Sequence, residues 1–220
     1  MTIEKSNEII LIIGDSFCAA RDRLTDWPVV FRTKFSEVFN TDFKLRGKGF
    51  PGCSWWPVKN LLYQELKNEL PYALILCHTD AYRIPTIDNS AGGYLSNFDP
   101  IFKKFYEKYF NDDFHRWAQT AWYKELDNIL EEFSIPYVLH LICFPDSQNF
   151  AFKKGIICTE TLFEIAHIAE KKKKLNPYEC GNHFDDFDNE AIGNLLADKI
   201  SKLPKFYNGY VNFNLKGILK

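Results

Sequence analysis

Residues 9–19 read IILIIGDSFCA. The run Ile9–Ile13 is aliphatic and rich in β-branched residues, with charged residues before it and a glycine after it. A short run of this kind predicts a strand buried on both faces, as in a parallel sheet. Polar residues follow at once, so Gly14-Asp15-Ser16 lies where that strand ends. Ser16 is then either a nucleophile presented at a strand end or a serine that caps the helix after it, helped by Asp15.

Working outward, the same signal recurs. Val30, Phe31, Phe35, Val38 and Phe39 have helical spacing within 27–39, and Phe43–Leu45 is a short strand. The loop RGKGFPGCSWW (46–56) carries three glycines and a proline, which break regular structure. Val58–Leu70 is an amphipathic helix and Tyr72–Cys77 another buried strand. The alternation β-α-β-α-β predicts an α/β fold with a mostly parallel sheet and helices on both faces, a three-layer α/β/α sandwich. Two aromatic-rich helical stretches follow, read as a helical insertion at about 94–132 beside the site. Ile135–Phe144 is a long buried strand, Thr161–Lys173 and Asn189–Ile200 are helices, and the tail alternates like a strand pair around the turn dipeptide Asn208-Gly209. No repeat or low-complexity linker interrupts the chain, so residues 1–220 are expected to form one domain.

Composition narrows the function classes. With 46% hydrophobic and 25% charged residues the chain is of ordinary globular type, and a formal net charge of −2 with interspersed signs gives no reason to expect a nucleic-acid partner. Lys171–Lys174 is the one basic block and reads as the solvated end of a helix. No segment approaches the roughly 18 apolar residues of a membrane span. The apolar stretch near the N-terminus is too short for a signal-peptide core. A cytoplasmic protein without a membrane partner is the expectation. Six cysteines lie scattered without a Cys-x-x-Cys pair, as free thiols in a reducing compartment do.

In an open parallel sheet, ligands bind beyond the carboxyl ends of the strands. Four segments fall there: Gly14-Asp15-Ser16, the loop containing Gly47-x-Gly49-x-x-Gly52, Cys77-His78-Thr79-Asp80, and Cys180-Gly181-Asn182-His183 before the last helix. The glycine loop lacks the Lys-Ser or Lys-Thr pair of a phosphate-binding loop, and no Gly-x-Gly-x-x-Gly follows the first strand, which counts against a nucleotide-binding domain. In order and spacing the four segments resemble the SGNH, or GDSL-type, hydrolases, a family of esterases, lipases, thioesterases and carbohydrate deacetylases with a flavodoxin-like fold. The resemblance spans Ile9 to about Ile200, on short motifs.

The resemblance implies that Ser16 is the nucleophile and His183 the general base, with the backbone N–H groups of Ser16 and Gly49 holding the oxyanion. Where the family has an asparagine as a third oxyanion donor this chain has Thr79, whose hydroxyl reaches less far; His78 is the alternative donor. Asp80 matches a residue that shapes the loop, with Arg83 as its expected partner. Where the family has the aspartate that orients the histidine this chain has Cys180, and a neutral thiol cannot stabilise an imidazolium as a carboxylate does. Glu179 or a backbone carbonyl is left for that task. A zinc site on Cys180 and His183 lacks a second Cys/His pair at ligand spacing, so neither metal nor organic cofactor is implied. Asp15, His78, Trp55 and Tyr82 are candidate substrate contacts, and Trp56 joins Trp55 and Tyr82 as substrate wall. The expected reaction is hydrolysis of a small-molecule or carbohydrate ester, such as an O-acetyl group, through an acyl-enzyme. The two departures, Thr79 and Cys180, support the other expectation, a weakened or inactive module that binds a carbohydrate or a protein.

Overall fold

The computed structural model describes residues 8–81, 83, 100–144, 150–165 and 184–212. Strands are β1 (Ile9–Asp15), β2 (Lys44–Arg46), β3 (Gly49–Phe50), β4 (Ala73–His78), β5 (Tyr137–Ile142), β6 (Ile156–Cys158) and β7 (Gly209–Val211). Helices are α1 (Trp27–Phe39), α2 (Trp55–Asn68), α3 (Pro100–Tyr109), α4 (Asp112–Glu132) and α5 (Asp186–Ser201), and Ser16–Cys18 forms one 3-10 turn directly after β1. The seven strands make one sheet in the order β2-β1-β4-β5-β6-β7, with β3 also pairing β1. Every pairing among them is parallel.

β1 is buried along its whole length, as are β4 and β5, which is why their sequences are continuous hydrophobic runs. Alternate strand residues serve two separate cores. Ile10, Ile12, Ala73, Ile75, Leu139 and Leu141 pack with Phe31 and Phe35 of α1 and Ile192 and Leu196 of α5. Leu11, Ile13, Leu74, Leu76 and Val138 pack with Leu62 and Leu66 of α2 and Leu126 and Ile129 of α4. A strand has a side-chain period of two, so one sequence feeds both cores only if the strand lies between them.

Within the expected insertion, α4 changes character partway along. Phe114 and Trp117 are exposed, whereas Gln119, Trp122, Tyr123, Leu126, Ile129 and Leu130 are buried, so the later turns of α4 belong to the core. The tail differs from the expected hairpin. Gly209 opens a strand parallel to β6, and Asn208 Oδ1 accepts a hydrogen bond from Gly155 N at 2.7 Å instead of turning the chain back. A partner strand beyond residue 212 and the helix beyond residue 165 lie outside the described residues.

The strand order reverses at β1: the chain goes outward to β2 and β3 on one side, then crosses to β4 on the other. In open sheets of this kind ligands bind at such a switch point, here beyond the carboxyl ends of β1 and β4. Gly14 makes the close approach possible. Its φ is +153°, and a Cβ there would lie 2.1 Å from the Cys77 carbonyl oxygen on β4. Gly14→Ala is therefore expected to cost at least about 2 kcal/mol, since both the clash and the backbone conformation oppose it. Urea unfolding checks this, and an unchanged midpoint would contradict the packing described.

Candidate functional site

Ser16 begins the 3-10 turn at the end of β1 and is partly buried. Its hydroxyl donates to Asp15 Oδ1 at 2.6 Å. Asp15 itself is completely buried. Its second oxygen, Oδ2, is paired with the Arg83 guanidinium and lies 3.0 Å from the Thr79 hydroxyl. That hydroxyl is also 2.8 Å from the Cys53 carbonyl, which accepts a further hydrogen bond from Arg83 at 3.2 Å. Thr79 has one hydroxyl hydrogen and two acceptors for it, Asp15 Oδ2 and Cys53 O, so in this arrangement the hydrogen is turned inward, away from an oxyanion. β1 and the segment after β4 thus meet on one buried carboxylate, and the loop after β3 joins them through the Cys53 carbonyl.

Gly49 is brought to the same place. It pairs with Gly14 across β3 and β1, and a Cβ on it would lie 2.5 Å from both the Asp15 carbonyl oxygen and the Ala19 amide nitrogen. Only a glycine lets this strand sit against the turn that carries Ser16. Arg21 fastens the turn from below. Its guanidinium donates to the carbonyls of Ile12 (2.6 Å), Gly47 (2.8 Å), Arg46 (3.1 Å) and Cys18 (3.1 Å). Such charge-assisted bonds from a planar fork lock three backbone segments at once. Trp27 Nε1 donates to Phe17 O at 2.6 Å and fixes the far end of the turn to α1.

Four buried thiols surround this point: Cys18, Cys53, Cys77 and Cys143. Burial pushes all four up, Cys143 to about 11, so each stays protonated at neutral pH. Among the described residues no group of three or more His, Cys, Asp or Glu is placed to hold a metal ion. Nor, among them, is any helix long and apolar enough to cross a membrane.

The candidates divide as follows. Ser16, Asp15, Gly49 and Thr79 are brought together. Arg83 donates its backbone N–H to the Asp80 carbonyl at 3.4 Å, and its guanidinium pairs with Asp15 and lies 4.7 Å over the Phe144 ring. Trp55 stacks on Trp122 at 6.1 Å, and Trp56 is exposed beside it. His78 is placed in the core: its ring packs edge-on to Tyr123 at 4.9 Å and stacks on Phe152 at 5.0 Å, and its Nε2 lies 2.9 Å from His140 Nδ1. His183, Cys180, Glu179 and Tyr82 lie outside the described residues. Sequence reasoning missed Arg21, the Gln119 side chain that donates to the Thr79 carbonyl at 2.9 Å, and the gathering role of Asp15. The one available signal was an acidic residue closing a fully apolar strand, which requires donors and a counter-charge from elsewhere.

A scan against protein-family models finds no match for this chain, and searches of curated proteins and of solved structures find none either.

The histidine pair generates a pH dependence. His140 Nε2 donates to the Lys154 carbonyl at 2.8 Å, which leaves His140 Nδ1 to accept from His78 Nε2 when both rings are neutral. Burial lowers both: His140 to about 4, and His78 well below the usual histidine range, with repulsion from His140 as a second cause. Because the folded values are depressed, their contribution is complete above about pH 6.5. It is lost as pH falls from there through about 4, where the unfolded chain binds protons that the folded one refuses. Urea midpoints should fall steeply over that window, by an amount on the order of 3 kcal/mol in stability for His140. His140→Gln should flatten the dependence, and an equally steep one in that variant would contradict the assignment.

Proposed function

We propose that the chain is a serine esterase of the SGNH type, a flavodoxin-like three-layer α/β/α domain that hydrolyses an ester, possible substrates including an O-acetyl group on a carbohydrate, through an acyl-enzyme. The observation that carries this reading is the placement of Ser16 at the carboxyl end of β1, at the switch point of the sheet, with Gly49 packed against its turn. A serine on a tight strand-to-turn junction exposes its oxygen to a substrate, while neighbouring backbone N–H groups face the oxygen that gains charge. Ser16 attacks the acyl carbon, the alcohol leaves, and water releases the acyl group. Trp55 and Trp56 supply an aromatic wall that suits a sugar ring or an acyl chain. No metal or organic cofactor is called on.

One observation favours a second reading. The hydroxyls of Ser16 and Thr79 both engage Asp15, and a module that only binds its ligand has no need of a freed nucleophile. Turnover of 4-nitrophenyl acetate decides between the two. The esterase reading predicts that Ser16→Ala, folded as the native chain is, loses on the order of a thousandfold or more in kcat. Equal turnover by the native chain and Ser16→Ala would end that reading and leave the binding module.

A further inference from the structure

We propose that α3 and the first turns of α4 form a docking face for a bilayer surface that carries anionic headgroups; this goes beyond the esterase reading and does not depend on it. Five of the eleven large apolar side chains exposed among the described residues fall within 101–117, their exposures running from 40% for Phe105 to 78% for Ile101. Single apolar residues on a surface are ordinary, but a cluster of this density marks an interaction face.

Helix geometry orders the cluster. Residues four apart share one side of a helix, so Ile101, Phe105 and Tyr109 form a stripe along α3, and the Phe105 and Tyr109 rings lie 5.7 Å apart. Lys104 and Lys108 border that stripe, whereas Lys103 and Glu107 take the opposite side. The Lys108 ammonium lies 5.1 Å from the Tyr109 ring centroid, so its stem runs beside the apolar stripe and its charge stands at the border. Phe110 and Asn111 join α3 to α4, whose Phe114 and Trp117 are exposed with their rings 6.0 Å apart. The acids nearest to them, Asp112 and Asp113, occupy the first turn of α4, where a helix N-terminus favours negative charge.

Charge and side-chain type select the occupant. A helix with aliphatic and aromatic residues on one side and lysines at their border lies in the plane of a bilayer interface: the apolar side enters among the upper acyl carbons and the ammonium groups stay at the headgroups. Tyrosine and tryptophan, as at 109 and 117, are the aromatics that favour that depth. A second copy laid face to face on this stripe would set Lys104 and Lys108 near the same lysines again, whereas anionic headgroups meet them with opposite charge. The expectation that the chain has no membrane partner rests on span length and does not bear on a helix that lies on the surface. The face also adjoins the candidate site: Gln119, two residues after Trp117 and so about 3 Å farther along the axis of α4, donates its side-chain amide to the Thr79 carbonyl.

Co-sedimentation with vesicles tests the proposal, one set made of phosphatidylcholine and the other of phosphatidylcholine mixed with anionic phosphatidylglycerol. The native chain should bind the mixed vesicles at least about tenfold more tightly, and raised salt should reduce the difference. Lys104→Glu combined with Lys108→Glu should remove that preference, and Ile101→Ser combined with Trp117→Ser should lower binding to the mixed vesicles by about tenfold or more. All four side chains are exposed, so both variants should keep the native urea midpoint. The native comparison needs no substitution and decides even where a variant unfolds. Native chain that stays in the supernatant with the mixed vesicles, or binds both sets equally, would overturn the proposal. Dimerisation in solution with neither set bound would also overturn it and give the face to a second copy.

Discussion

A carboxylate shut off from water must find its donors and its counter-charge inside the protein, and the carboxyl end of this sheet is arranged around that requirement. Asp15 stands at the end of β1 and draws Ser16 from its own turn, together with Thr79 and Arg83 from the segment that follows β4. Through the Cys53 carbonyl the same two residues hold the loop after β3. Removing one partner from such a cluster leaves a buried charge or polar group unsatisfied, so each member depends on the others.

The sheet makes the cluster possible. Parallel strands buried between two cores end at a common edge, and the reversal of strand order at β1 places the turn after β1 between the loops after β3 and β4. Gly14 and Gly49 remove the side chains that would hold these segments apart, and Arg21 ties the carbonyls of Ile12, Cys18, Arg46 and Gly47 together. Rigid elements thus set the position of Ser16, while the polar residues around it set the direction of its hydroxyl.

Much of the fold was legible because burial on both faces leaves a plain mark: Ile9–Ile13, Tyr72–Cys77 and Ile135–Phe144 each read as strands, and each coincides with most of one or contains it, β1 and β4 running on to the polar residues Asp15 and His78. β6 escaped notice because three residues carry no period. Asn208-Gly209 has the chemistry of a hairpin turn, yet the asparagine side chain serves Gly155, a contact 53 positions away that no local pattern records. The same limit applied at the site. Motif order brought out Ser16, Gly49 and Thr79, but Arg21 and Arg83 act on carbonyls and a carboxylate distant in sequence, and an arginine in a loop looks the same whether it is solvated or buried in use. His78 sits within a polar motif, but strand alternation turns it toward Tyr123 and Phe152 and into the core.

The central claim is that this clustered edge presents Ser16 as a nucleophile. Incubation with a serine-directed organophosphonate, followed by intact-mass measurement and peptide mapping, tests it most directly, because only an activated serine reacts selectively. The account predicts one adduct per chain, on the peptide containing Ser16, and none in Ser16→Ala. An unmodified chain after prolonged incubation, or an adduct carried by another residue, would contradict it.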